Sequence, residues 1–91
     1  MKKSSKELCE LLASVEDEKE ADTLLKDLLT PQERDTLEER WQIVQELAKG
    51  TPQRRIAEKL GISISTVTRG SIAFQYGRQG FRYFLKKLGK I

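Results

Sequence analysis

The chain has 91 residues, 37% hydrophobic and 34% charged, with 17 Lys/Arg against 14 Asp/Glu for a formal net charge of +3. One cysteine, Cys9, and no histidine exclude an intrachain disulfide and argue against a zinc site or any other metal centre. No apolar run nears the roughly 18 residues of a membrane helix and the opening MKKSSKELCELL has no secretory core, so the expected compartment is the cytoplasm.

Hydrophobic spacing predicts six helices and no strand. The first, about Ser5 to Ala13, carries a narrow stripe of Leu8, Leu11 and Leu12, with Cys9 expected to be at least half-buried beside it. So short a helix does not stand alone. The second, about Val15 to Leu29, has Leu24, Leu25, Leu28 and Leu29 behind an acidic first turn, Glu16 to Glu18, which suits the positive end of a helix dipole. TPQE then reads as a capping box, with Thr30 as cap, Pro31 at the first helical position and Glu33 reaching back. The third helix runs to Lys49 and stops at Gly50. Leu37, Trp41, Val44 and Ala48 form one face and Ile43 and Leu47 widen it, as expected of a central strut.

Thr51 and Pro52 repeat the cap-and-proline pattern before a short helix, Gln53 to Leu60, with Ile56 and Leu60 inward and Ala57 small at a crossing. Gly61 breaks it, because glycine adopts the left-handed conformation that ends a helix at no steric cost. Ile62 plugs the corner and Ser63 caps the next helix, which runs to about Tyr76 with Val67 inward. Ile64, Ser65, Thr68 and Arg69 are left facing out. After Gly77 and Gly80, a last helix from Phe81 to Leu88 directs Phe84, Leu85 and Leu88 inward and Arg82, Lys86 and Lys87 outward.

Residues 53 to 71, QRRIAEKLGISISTVTRGS, thus read as a helix-turn-helix whose outward residues suit a major groove. The charge distribution agrees. Residues 1–39 carry 6 Lys/Arg against 12 Asp/Glu, net −6, whereas residues 40–91 carry 11 against 2, net +9. The half that contains the motif attracts phosphate, and the acidic half is held off it. The expected organisation is a single DNA-binding domain over 1–91, with dimerisation helices at 1–29, a central helix at 30–50, the helix-turn-helix at 52–76 and a C-terminal helix at 80–90. A domain this small buries only about two thirds of its unfolded surface, and a second copy of the chain is the natural source of the missing core.

LTPQERDTLEERWQIVQELAKG followed by QRRIAEKLGISISTVTRGS resembles the tryptophan operon repressor family across Leu29 to Ser71. The TPxER opening, the arginine of EERWQIVQEL, the glycine that closes that helix, the QR pair and the TxTRGS ending all occur in register. The resemblance implies an all-α fold, a six-helix intertwined homodimer with a helix-turn-helix, in which L-tryptophan acts as corepressor for binding a palindromic operator. Residue by residue, it implies that Arg40 and Arg69 hold the two faces of the indole, that Thr30 lies near the amino acid's polar end, that the Leu29 carbonyl meets its ammonium, and that Gly70 leaves room for it. Ala73 stands where the family has a serine acceptor for the amino group, Phe74 is bulkier than expected, and YGRQGF is closer to a Trp-repressor-like branch.

The expected function is sequence-specific repression of transcription by a cytoplasmic homodimer on double-stranded operator DNA, with no membrane partner. Gln53, Arg54 and Ser71 are expected at phosphates, and Ile64, Ser65, Thr66 and Thr68 at bases. Arg69 serves both the DNA surface and the ligand. Two alternatives share the same helices: a ligand-independent DNA-binding dimer in which Arg40 and Arg69 are structural, and a helical interaction protein that does not bind DNA. Without an acidic triad, a phosphate loop or a Cys/His pair, enzymatic activity is not expected.

Overall fold

The computed structural model describes residues 3–91. All of its regular structure is helical: α1 (Lys3–Ala13), α2 (Glu18–Leu28), α3 (Pro31–Ala48), α4 (Gln53–Leu60), α5 (Ile64–Tyr76) and α6 (Gly80–Lys87). Two compact units result, one ending at Asp35 and the other running from Thr36 to Ile91.

In the first unit, local hydrogen bonds set the helix ends. Asp17, not the Val15–Glu16 pair, starts α2, because its carboxylate accepts from the Glu20 N–H at 2.8 Å while Glu20 in turn accepts from the Glu16 N–H at 3.0 Å. The capping box at Thr30 forms in both directions: the Glu33 N–H donates to Thr30 Oγ1 at 3.1 Å, and the Thr30 N–H donates to Glu33 Oε1 at 2.9 Å. Asp22 receives Arg34 and, at 3.0 Å, Lys26. The Arg34 guanidinium, then the Lys26 ammonium, holds the Asp22 carboxyl below its usual range. Between residues 5 and 35 nothing is buried, and Leu8, Leu11, Leu12 and Leu28 are 40–48% exposed. Cys9 is exposed as well, contrary to expectation, because α1 has no neighbour covering it within its unit.

The second unit holds the core. Ile43 of α3, Ile56 of α4 and Val67 of α5 meet at its centre, with Leu47, Ala57, Leu60 and Ile62 packed around them. Val44 and Leu85 are also fully buried. Two expectations change here. Thr51 does not cap α4; its hydroxyl donates to Glu46 Oε1 at 2.9 Å, and Pro52 takes the cap position without a side-chain bond. On α6 only Leu85 turns inward, since Phe84 lies about 100° around the helix from it and Leu88 is already the C-cap; both are at least half exposed.

Candidate functional site: a charged hollow beneath a basic helical hairpin

The hairpin is built by its turn. Gly61, at φ 68° and ψ 37°, donates its N–H to the Ala57 carbonyl, as does Ile62 at 3.0 Å, so α4 closes and the chain reverses within three residues. Ser63 then opens α5, its Oγ accepting from the Thr66 N–H at 3.2 Å. Behind the hairpin, the buried carboxylate of Glu46 ties α3 to α4 through Lys59 Nζ at 2.8 Å, and Lys49 stands 3.5 Å away. The Lys59 hydrogen bond, then that from Thr51, lowers the Glu46 pKa against the opposing effect of burial.

On the outer side of the hairpin Ile64 (51% exposed), Ser65, Thr68, Arg69, Arg54 and Arg55 are all exposed, and Gln53 and Thr66 are half-buried. The hydroxyls are already organised. Ser63 Oγ lies 3.1 Å from Ser65 Oγ and 2.8 Å from Thr66 Oγ1. Thr68 Oγ1 has one proton for two acceptors, the Ile64 carbonyl at 2.9 Å and Gln53 Oε1 at 3.0 Å; toward an outside group it therefore offers lone pairs. Ser71, expected at a phosphate, is only 5% exposed, because its position on α5 follows the inward Val67 by one helical turn. No acidic residue follows Glu58 in the chain, so α5 and α6 carry positive charge alone.

Beneath α5 lies a hollow of about 460 Å³ lined by Thr36, Glu39, Arg40 and Ile43 of α3 and Thr66, Arg69, Gly70 and Ala73 of α5. Arg40, Arg69 and Gly70, expected at one site, are thus brought together. Leu29 and Thr30 belong to the first unit, where the Thr30 hydroxyl accepts its own capping bond. Gly70 has a steric reason to be glycine: a Cβ there would come within 2.7 Å of Ile43 Cγ2. Thr36 and Glu39 were missed by sequence reasoning. Their signal was spacing, because 36, 39, 40, 43 and 66, 69, 70, 73 are both i, i+3, i+4, i+7 rows.

On the opposite flank of Ala73 a second cavity, about 570 Å³, is lined largely by Trp41, Phe74, Phe81, Phe84 and Leu88. The Arg82 guanidinium lies 4.3 Å over the Phe74 ring and the Trp41 and Phe81 rings are 6.3 Å apart. Among the described residues no helix is long and apolar enough to cross a membrane, and no cluster of His, Cys, Asp and Glu is fit to hold a metal ion.

These features define an all-α protein with a basic helical hairpin beside a charged hollow. The family described as Trp repressor protein matches residues 3–89. Proteins named Trp operon repressor homolog are 43% identical over 70 residues in Vibrio campbellii, covering 76% of this chain and 70% of that relative. In Photobacterium profundum the figure is 38% over 85 residues, covering 92% of this chain and 82% of the relative. In Mannheimia succiniciproducens it is 46% over 72 residues, covering 78% and 70%. No solved structure matches the chain. The chain belongs to the Trp repressor family, and the names its relatives carry are those of transcriptional repressors.

Proposed function

We propose that two copies of this chain form a transcriptional repressor that reads a palindromic DNA site with α4 and α5 and is activated by L-tryptophan held between Arg40 and Arg69. The observation that carries the reading is the hairpin: a left-handed glycine turn and a capped second helix whose outward face, Ile64, Ser65, Thr68 and Arg69, contains no acid. A second copy is supported by the N-terminal unit, which buries none of its described residues and leaves four leucines at least 40% exposed. In a symmetric dimer two recognition helices enter successive major grooves about 34 Å apart. Residues 1–29 and the helix at 80–90 serve dimerisation, residues 30–50 the strut, and residues 52–76 the DNA.

Gln53 and Arg54 position the hairpin on phosphates, while Ile64, Ser65, Thr66 and Thr68 meet base edges. The volume of the hollow falls within the range of about 300–1,000 Å³ usual for small ligands, and its residues fit an aromatic amino acid. A guanidinium on each ring face contributes about 1 kcal/mol of cation–π attraction where desolvated, and guanidinium also pairs with a carboxylate. Because Arg40 is on α3 and Arg69 on α5, a ligand gripped by both favours one tilt of α5 and shifts the population toward the DNA-competent state.

Fluorescence anisotropy of full-length protein on duplex DNA tests this, across 50–200 mM salt and with or without millimolar L-tryptophan. The affinity is expected to fall linearly on a log–log salt plot and to rise at least about tenfold with the amino acid, equivalent to about 1.4 kcal/mol. A flat salt response rejects the DNA reading. A salt-dependent affinity that ignores tryptophan leaves a ligand-independent DNA-binding dimer instead.

A further inference from the structure

The hydroxyls on the outward side of the hairpin are not equivalent. Ser65 and Thr66 each lie beside another hydroxyl, Ser63 Oγ, at 3.1 and 2.8 Å, and in such a pair either oxygen can be the donor. Their protons can turn to suit what approaches. Thr68 lacks that freedom. Its neighbours are the Ile64 backbone carbonyl at 2.9 Å and the side-chain carbonyl Oε1 of Gln53 at 3.0 Å, and both can only accept. The bond to Ile64, four residues back, is one that helical threonines commonly make, whereas the bond to Gln53 crosses from α5 to the first turn of α4. Two internal acceptors thus hold the single hydroxyl proton within the protein, while Thr68 itself stays exposed.

The consequence is a fixed polarity. Toward DNA, Thr68 presents lone pairs, and Gln53, half-buried and with its Oε1 committed to Thr68, has its Nε2 donor to offer a phosphate. In the major groove the donors are the exocyclic amines, N6 of adenine and N4 of cytosine, whereas O4 of thymine and O6 of guanine accept. A hydroxyl held as an acceptor pairs with the first set and sets lone pair against lone pair with the second. Every base pair carries one such amine, so the contact selects the orientation of the pair, adenine or cytosine on the strand that Thr68 faces.

We infer that Gln53 is a positioning residue for base reading: by holding the Thr68 proton inward it makes Thr68 an acceptor that selects the exocyclic amine of adenine or cytosine at one position of each half-site. This rests on the DNA reading proposed above and adds to it the polarity of one contact.

The test is selection from a randomised duplex library by the full chain and its variants, at one salt concentration and with millimolar L-tryptophan throughout, read by sequencing. Wild type is expected to show one position per half-site at which adenine and cytosine together outweigh guanine and thymine by about three- to tenfold, the scale of one neutral hydrogen bond. Thr68→Val, which keeps the shape and removes the hydroxyl, should flatten that position alone, and Thr68→Ser should keep the preference. Gln53→Met, which keeps the length of the side chain and removes the acceptor, should admit guanine and thymine there because the hydroxyl can turn outward. Gln53→Glu keeps an acceptor oxygen for Thr68 but loses the Nε2 donor, and should hold the preference while binding every sequence more weakly. If no position depends on Thr68, if the preference is for guanine or thymine, or if it survives Gln53→Met, the inference is overturned and the DNA reading stands. Wild type that binds no duplex in a salt-dependent way sinks the DNA reading, and the inference with it.

Discussion

Replacing Gly70 with alanine probes the contact that sets how closely α5 approaches α3. The added Cβ would lie 2.7 Å from Ile43 Cγ2 and 3.5 Å from Ile43 Cβ and Cδ1. The first distance is far inside van der Waals contact. Ile43 cannot yield cheaply, because it is 2% exposed, sits within the central cluster, and is β-branched in a helix, where one χ1 rotamer dominates. Overpacking of this kind costs about 1–3 kcal/mol. Against it stands the gain of about 0.8–1 kcal/mol for replacing a mid-helix glycine by alanine. The net expectation is a loss of about 1 kcal/mol or somewhat more, which for a domain of this size lowers Tm by about 4–8 °C per kcal/mol.

Thermal unfolding followed by circular dichroism, at one fixed protein concentration since association shifts Tm, measures this loss. The double-mutant cycle with Ile43→Ala sharpens it. Ile43→Ala alone should cost about 2–5 kcal/mol through the cavity it leaves, but in that background Gly70→Ala should become stabilising, because the clashing methyl is gone. A Gly70→Ala protein more stable than wild type would refute the close-approach argument and leave helix propensity as the governing effect.

Two further perturbations test the hairpin's supports. Glu46→Gln keeps an acceptor for Thr51 but removes the charge that Lys59 binds. Because the folded-state pKa of Glu46 is lowered, its stabilisation is present above the ordinary carboxylate value and lost as pH falls through the depressed one. Urea unfolding should therefore show wild type ahead of the variant at pH 7, by about 1 kcal/mol or less given the exposed Lys59 side chain, with the gap narrowing as pH falls below the ordinary carboxylate range; a pH-independent gap would count against the ion pair. Ser63→Ala removes the cap of α5 and the contact of Ser63 Oγ with Thr66 Oγ1, at an expected cost of about 1 kcal/mol. Ser65→Ala, on the exposed neighbour, should stay within about 0.5 kcal/mol, and equal effects at the two positions would deny the cap.

What was legible in the chain was what is local. The Thr30–Glu33 box and the Gly61–Ser63 turn depend on hydrogen bonds between residues three to five apart, and the side chains that make them are specific enough to announce themselves. The inward places of Ile43, Val44, Ile56 and Val67 followed from helical periodicity. The same reasoning failed where a local pattern had a competitor elsewhere. Thr51 had the right type for a cap, but the buried carboxylate of Glu46, five residues earlier, took its hydroxyl. Phe84 and Leu88 had the right hydrophobicity, but on a helix of 8 residues only Leu85 pointed at a partner within its unit.

The sequence by itself determined six helices, the turn that makes a hairpin of α4 and α5, and the acid-free face of α5, because each depends on nearest neighbours and on helical spacing. Tertiary structure alone decided that Glu39 and Thr36 belong with Arg40 and Arg69, that Ser71 is buried, and that Gly70 is pressed against Ile43. A row at i, i+3, i+4 and i+7 becomes the wall of a site only when a second helix is brought opposite it. That approach is set by the packing of α3 against α5, roughly 30 residues apart in the chain, which no local preference encodes.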